Sequence, residues 1–428
     1  MPPTPGAAIE LEVDKPAAGG RMLGRHEGQV VLVWGAVPGE RVQARIERVG
    51  KGVMYAETTA VLRSSPDRRP SSPDWRCGGN ALAHIAYARQ IELKGEIIED
   101  AFRRIGRVPL AAPPEVLASP ESGYRMRARL HAHDGRLGFY REGSHQLCDA
   151  AVSAQLLPAT VAWIANAEAI LQRERLVGLV GLDIAESIDG EQRACHLELE
   201  PGVGTAPFVA LAGGLVGLSA QGAGDISAAV LAGEPAITDV VTVRDGNPLA
   251  TVTLRRDVRA FFQGNRFLLE RLVRYVIGLL AQGPVVDLYA GVGLFGLSAA
   301  AAGAEHVTLI EGDPISGADL EANAARLARV RVKRRSVEAY LGAVPATRAP
   351  STFIIDPPRT GMSRDALAGI VRVRPATIVY VSCDVATLAR DTRVLLDAGY
   401  MLGPLTAFDL FPNTAHVETV AVLKAAGA

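Results

Sequence analysis

The chain has 428 residues, 48% hydrophobic and 21% charged, with a formal net charge of −1. That size and composition exclude global disorder and suit two or three packed domains, while the charge balance excludes a polycation and confines nucleic-acid contact to local basic patches. The four cysteines (Cys77, Cys148, Cys195, Cys383) show no pairing pattern, which fits a reducing, cytoplasmic compartment better than a disulfide framework. No apolar run is long enough to span a bilayer, and the start, Met1-Pro2-Pro3-Thr4-Pro5-Gly6, lacks the basic and then apolar pattern of a leader.

Residues 8–63 read as short strands: Ile9-Glu10-Leu11-Glu12-Val13 and Val42-Gln43-Ala44-Arg45-Ile46 alternate, and Gln29-Val30-Val31-Leu32-Val33-Trp34 is a buried run. Gly19-Gly20, Gly24, Gly28, Pro38-Gly39 and Gly50-Lys51-Gly52 supply turns. A small closed antiparallel barrel is the economical solution, because closure removes exposed edges, and barrels of this size often bind RNA. The stretch Pro38-Gly39-Glu40 resembles the turn of TRAM domains, which implies an RNA-binding appendage over residues 1–66.

The run Ser64-Ser65-Pro66-Asp67-Arg68-Arg69-Pro70-Ser71-Ser72-Pro73 marks a domain boundary. After Cys77-Gly78-Gly79-Asn80 an amphipathic helix is expected over residues 89–104. Residues 67–255 then mix glycines with short β-like runs, the pattern of a central α+β domain. Arg125, Arg127 and Arg129 alternate, so they fall on one strand face, where they either contact phosphates or sit in solvent.

The last third, residues 256–428, changes character. An amphipathic helix is expected over residues 265–281, and strands at residues 284–289, 306–311, 352–356 and 377–381 alternate with helical segments. A final strand near residues 416–423 follows another around Ala407-Phe408. This alternation predicts a doubly wound, mostly parallel sheet with an antiparallel hairpin at one edge.

Two ligand-edge motifs follow. Asp287-Leu288-Tyr289-Ala290-Gly291-Val292-Gly293 lies between a strand and a helix, the context of a nucleotide-binding turn, and Glu311 closes the next strand at the distance where an acid meets ribose hydroxyls. Gly291, Gly293 and Gly296 also satisfy dinucleotide spacing, so the discriminating residue is Asp287, which would repel a pyrophosphate and suit a cationic ligand. The run Ile378-Val379-Tyr380-Val381-Ser382-Cys383 places a thiol at the carboxyl end of a strand, where ligands sit in open α/β sheets; Cys383 is there either a nucleophile or a small core hydrophobe.

Asp287 to Gly293 resembles the first motif of S-adenosylmethionine methyltransferases. In Asp356-Pro357-Pro358-Arg359-Thr360-Gly361, Arg359 stands where amine-directed methyltransferases carry an aromatic residue, which points to a carbon target. With Phe261-Phe262-Gln263-Gly264-Asn265, Ser382-Cys383 followed by Thr387-Leu388-Ala389-Arg390-Asp391, and Asp409-Leu410-Phe411-Pro412-Asn413-Thr414-Ala415-His416-Val417-Glu418, the ordered set resembles the RNA uracil-C5 methyltransferases over nearly the whole chain. The resemblance implies a multidomain α/β protein: an N-terminal TRAM barrel, a central α+β domain and a C-terminal Rossmann-like methyltransferase domain. It implies transfer of a methyl group from S-adenosylmethionine to uridine C5 in RNA, with 23S rRNA preferred over tRNA, in a cytoplasmic protein for which a monomer suffices. It assigns Cys383 as nucleophile and Glu418 as base. Gln263, Tyr289, Gly291, Glu311, Ser336 and Asp356 would hold the cofactor, and Asp356, Arg359, His416, Arg125 and Arg127 the substrate.

Two departures stand out. Members of the family commonly bind a [4Fe–4S] cluster through four cysteines, but Asn80 replaces one of them and Cys148 is offset from another, so no cluster and no metal is expected, with local packing around Cys77 and His84 instead. Asp384-Val385 replaces the usual Asn-Pro after the nucleophile, and a carboxylate there would oppose thiolate formation.

Overall fold

The computed structural model describes residues 4–17, 19–70, 74–244, 249–345 and 352–427. Ser71-Ser72-Pro73 of the expected boundary segment therefore lies outside the described residues. The alternating runs at the start form a closed five-stranded barrel (Ala8–Pro16, Met22–His26, Gln29–Trp34, Arg41–Gly50, Val53–Arg63) whose inward residues include Val13, Val33 and Ile46. The segment after it is pinned rather than free: Arg68 Nη2 donates to Glu40 Oε2 at 2.8 Å and to the Gly35 carbonyl at 2.7 Å, with Glu40 fully buried.

The expected helix near residue 89 runs Tyr87–Ala101 and widens into a π turn at Phe102–Gly106. Its Leu93 packs in the barrel core, whereas Ile97, Ile98 and Phe102 pack in the core beneath the large C-terminal sheet. One helix thereby joins two cores.

The central region holds a seven-stranded sheet covered on one side by the helix Pro158–Arg173. Cys77 and Cys148 form a disulfide there, which corrects the expectation of unpaired cysteines. Cys148 lies opposite Phe139 on paired strands, and Cys77 bridges to Arg141, so the two thiols converge with Cα atoms 5.7 Å apart. Their separation of 71 residues hid the pairing from a reading of spacing. His84 is buried with Nε2 3.0 Å from the Ala36 carbonyl oxygen.

The hairpin Ala236–Arg244 and Ala250–Asp257 packs Val241, Val243, Val252 and Leu254 into the core of the C-terminal unit. The main sheet there has eight strands, in the order Val330–Arg334, Val307–Glu311, Val285–Leu288, Thr352–Ile355, Thr377–Ser382, Glu418–Ala425, Tyr400–Phe408 and Val116–Leu117. The first five are parallel, and Glu418–Ala425 runs antiparallel to both its neighbours. The expected helix at residues 265–281 is shorter, Leu269–Gly278, because the buried Asn265 turns its side chain to accept from the N–H groups of Phe267 and Leu268 at its approach. Sequence reading missed the edge strand Val330–Arg334, whose arginines and lysine mask its period, and the two-residue strand Val116–Leu117. Among the described residues, no helix is long and apolar enough to cross a membrane.

The loop between the last two strands, residues 409–417, is held from below by the helix Tyr87–Ala101. Lys94 and Asp409 form an ion pair in which both side chains are 0% exposed. Lys94 Nζ also donates to the Phe411 carbonyl at 3.1 Å, and the Tyr87 hydroxyl donates to Asp409 Oδ2 at 2.9 Å. Gln90 exchanges two bonds with Asn413, whose φ of 64° is left-handed. Breaking a buried pair by removing one partner leaves an uncompensated charge and costs about 3–5 kcal/mol. Lys94→Met is therefore expected to lower unfolding stability in urea by about that amount, and Lys94→Met with Asp409→Leu to recover most of it. A loss under about 1 kcal/mol in the single variant would show that Asp409 reaches water in the native state.

Candidate active site

Sheet register brings the chemistry together. Ser382 pairs with Thr419, so the next position sets Cys383 at the end of one strand across from Glu418 at the start of its antiparallel neighbour, about 5 Å apart at Cβ for such a pair. Ile355 pairs with Tyr380 and with Leu288 on its two sides, so Asp356 and Tyr289 emerge at the same edge.

The loop after Asp356 is clamped onto the helix Val385–Asp397. Asp391 Oδ2 accepts from the Met362 N–H at 3.0 Å and from the Tyr380 hydroxyl at 2.8 Å. Gly361 has φ 73°, and a Cβ there would lie 2.6 Å from Arg390 Nη2. Only a glycine allows that approach, which fixes where Arg359 enters the site.

Cys383, Arg359, His416, Phe411 and Thr414 line a cavity of about 510 Å³. Arg125 and Arg129 enter it from the central sheet with Phe139 and Tyr140, and Trp34 and Gly19 enter from the barrel. Arg125 is oriented by bonds to Gln155 Oε1 at 2.6 Å and to the Arg127 carbonyl at 2.8 Å. Arg127 does not line this cavity: its Nη2 donates to the Arg259 carbonyl at 3.3 Å. Sequence reading set Arg129 on the same face as Arg125 but did not select it as a substrate contact; the period-two spacing was the available signal. Trp34 and Tyr140 carried no local signal, because the cavity closes only when three distant segments meet.

A second, narrower cleft adjoins on the cofactor side, lined by Phe261, Phe262, Gln263, Tyr289, Gly291 and Asp356 among others. Tyr289 is held at φ 62°, a sparsely populated backbone state for a non-glycine residue of the kind that clusters at ligand sites. Gln263 Nε2 donates to Asp356 Oδ2 at 3.3 Å. The lining holds one carboxyl group and no cation, a donor set that fits a sulfonium nucleoside and opposes a pyrophosphate.

Glu311 and Ser336 stand outside the lining. Glu311 accepts from the Gly291 and Asp313 N–H groups and so holds the glycine turn, and Ser336 caps the helix Val337–Ala343 through the Ala339 N–H. Asp287 does not face a ligand as its position suggested. It is fully buried and accepts from the Gly296 N–H at 2.8 Å; the acid at the cleft is Asp356.

Three acidic groups crowd the reaction end. Desolvation, then Glu418 and Asp356, push the Cys383 thiol up to about 12, and Arg359 opposes them. Desolvation raises Asp356 to about 7. Glu418 is pushed well above the carboxylate range by burial and then by Asp356, with Arg359 again opposing, and its Oε1 has no hydrogen-bond partner in the described structure. His416 is lowered to about 4 by burial and by the nearby Arg359, Lys94 and Arg125, so it is neutral at pH 7. The crowding on the thiol comes from these two carboxyls and not from Asp384, which corrects the expectation for that substitution: Asp384 Oδ1 accepts from the Thr387 N–H at 2.8 Å and caps the helix beginning at Val385.

An iron–sulfur cluster does not fit this chain. Cys77 and Cys148 bond to each other, Cys195 is buried in the central sheet and Cys383 lies at the reaction cavity. Four thiolates cannot converge from those places.

These geometries make Cys383 the one accessible free thiol. Iodoacetamide should label Cys383 and spare Cys195, slowly at pH 7 and faster as pH rises toward about 12. Arg359→Leu should slow labelling further at each pH, since removing the cation raises the thiol. Rapid labelling at pH 7, unchanged by Arg359→Leu, would contradict the charge arrangement.

The comparisons with known proteins agree with this geometry. A family model described as tRNA (Uracil-5-)-methyltransferase matches residues 236–426, and one described as TRAM domain matches residues 2–59. A 23S rRNA (uracil(1939)-C(5))-methyltransferase RlmD of Halomonas elongata is 31% identical, covering 97% of this chain and 89% of its own. An uncharacterized RNA methyltransferase of Streptomyces avermitilis is 31% identical over 98% of this chain and 99% of its own. In fold, the chain matches the Pyrococcus abyssi tRNA (uracil-54, C5)-methyltransferase, solved in complex with S-adenosyl-L-homocysteine. The TM-score is 0.76 at 24% identity, covering 96% of this chain and 99% of that one.

Proposed function

Because this chain belongs to the S-adenosylmethionine-dependent RNA uracil-C5 methyltransferase family, we propose that it methylates C5 of a uridine in 23S rRNA through a covalent bond from Cys383 to C6. The observation that carries this reading is the register that opposes Cys383, which lines a cavity open to three units of the chain, to the buried Glu418 on the neighbouring strand. The preference for ribosomal RNA rests on the relatives named for 23S rRNA, at 31% and 30% identity.

C5 of uracil is too weak a nucleophile to take a methyl group unaided. The Cys383 thiol gives its proton to water in the cavity it lines, and the thiolate adds at C6. The C5=C6 electron pair moves into an enolate over C5, C4 and O4, so one hard step becomes two easier ones. When bound in the cleft of Gln263, Tyr289 and Gly291, S-adenosylmethionine supplies the electrophilic methyl group. Asp356 holds the uracil edge, and His416, neutral and beside Phe411, packs against the ring. Glu418 then removes the C5 proton; the electron pair re-forms C5=C6 and expels the Cys383 thiolate. Glu418 must be ionised at that moment, and Arg359, the cation that lowers both it and Cys383, favours that state. C6 is inaccessible inside a paired helix, so the target uridine is flipped out or unpaired.

Incubation with methyl-labelled S-adenosylmethionine and ribosomal or transfer RNA, followed by digestion to nucleosides, should place the label in 5-methyluridine. Cys383→Ala should reduce transfer to background. Glu418→Gln should accumulate a protein–RNA species that survives denaturing electrophoresis. Label in another nucleoside would refute the reaction, and the absence of any stable species with Glu418→Gln would refute the base.

A further inference from the structure

We propose that a second cavity, between the barrel and the central unit, is a stacking site for an unpaired RNA base beside the target uridine. It rests on the RNA-methylation reading above and adds a subsite to it.

The cavity measures about 390 Å³; Arg21, Trp34, Trp75, Arg76 and Arg141 line it with Ser144 and Gln146 of the turn after Tyr140, and Glu47 and Glu57 in the same lining pair with Arg21 and Arg76. From this lining an alternation of guanidinium groups and rings continues across the barrel to Tyr55 and Arg48, which lie beyond the cavity. Arg76 lies 5.1 Å from the Trp75 ring, Trp75 stacks on Trp34 at 6.2 Å and 24°, and Arg21 lies 4.9 Å from Trp34 and 5.4 Å from Tyr55. Arg48 then covers Tyr55 at 3.5 Å. Ring faces and guanidinium planes are what unpaired RNA bases stack on, without regard to base identity.

Arg21 is set in place by the barrel itself, donating to the Leu32 and Ala56 carbonyls at 3.3 and 3.1 Å. The platform is therefore preformed. Trp34 and Glu142 line both this cavity and the one that holds Cys383, so the two spaces adjoin. Gly20 of the barrel sits against Trp34 and Ala415, close enough that a Cβ would lie 3.0 and 3.5 Å from them, and Ala415 is the neighbour of His416. A uridine over Cys383 consequently directs its flanking nucleotide past the buried Trp34 to the partly exposed Trp75 stacked on it. Arg141, paired with Asp74 at 3.0 Å on the rim, stands where a phosphate of the same strand would pass.

The test is methyl transfer to a 23S rRNA or tRNA transcript, whichever accepts the group, by Trp75→Ala and Arg141→Ala. Each variant should raise the RNA KM by roughly 10-fold or more, the size of a lost stacking or phosphate contact, with kcat and the KM for S-adenosylmethionine within about twofold of the parent. Trp75→Phe, which keeps a ring, should restore most of the RNA KM. If the parent transfers methyl groups and both alanine variants keep its RNA KM, the stacking site is wrong and the methylation reading stands. If the parent transfers none to either transcript, the methylation reading falls and takes the stacking site with it.

Discussion

The loop of residues 409–417 depends on one buried charge pair. Lys94 and Asp409 are both fully enclosed and belong to segments 315 residues apart. Taking two charges out of water is repaid only when geometry and further hydrogen bonds compensate it, and here Tyr87 and the Phe411 carbonyl supply those bonds. The pair fixes the loop of residues 409–417 on a helix that is shared between the barrel core and the core of the main sheet. His416 and the start of the strand carrying Glu418 are thereby positioned by a residue more than 300 places earlier in the chain. The same helix is tied to the first barrel strand through Lys15 and Asp100 at 2.8 Å. The barrel, the central sheet and the main sheet are in this way held in one arrangement around the Cys383 cavity.

Held in that arrangement, the site carries its own tension. A thiol and two carboxyls share a desolvated space with a single opposing guanidinium. Such crowding holds the Cys383 thiol and the Glu418 carboxyl protonated at pH 7, with Asp356, at about 7, divided between its two forms, and a protonated thiol is slow to be alkylated or oxidised. It also means that carboxylate charge at pH 7 is bought at the expense of stability, because a carboxyl raised in the folded state binds its proton more tightly there than in the unfolded chain. For Asp356 that penalty is absent below the ordinary carboxylate range and grows as pH rises toward about 7.

Much of this was legible in the sequence. The period-two runs of residues 8–63 became a barrel, and the alternation after Pro284 became the sheet, because both patterns are local. Cys383, Asp356 and Tyr289 were placed at strand ends by the same local logic. What escaped detection was assembled across distance. The Cys77–Cys148 pairing spans 71 residues, Val116–Leu117 joins the main sheet from the central region, and Lys94 lies on a helix whose amphipathic pattern says nothing of its partner. Asp287 and Asp384 were misread for another reason. A carboxylate near a functional residue can serve a main-chain N–H as readily as a ligand, and in both cases it does so, at Gly296 and Thr387.

The central claim is that Cys383 bonds to C6 and that removal of the C5 substituent as a cation is the step that frees it. RNA carrying 5-fluorouridine tests both halves at once, since fluorine at C5 cannot leave as a cation and the adduct has no exit. Incubated with S-adenosylmethionine, the protein should form a stable one-to-one complex whose digested peptide carries the methylated 5-fluoronucleotide on Cys383. A complex that still forms in Cys383→Ala, or one whose nucleotide maps to another residue, would contradict the account.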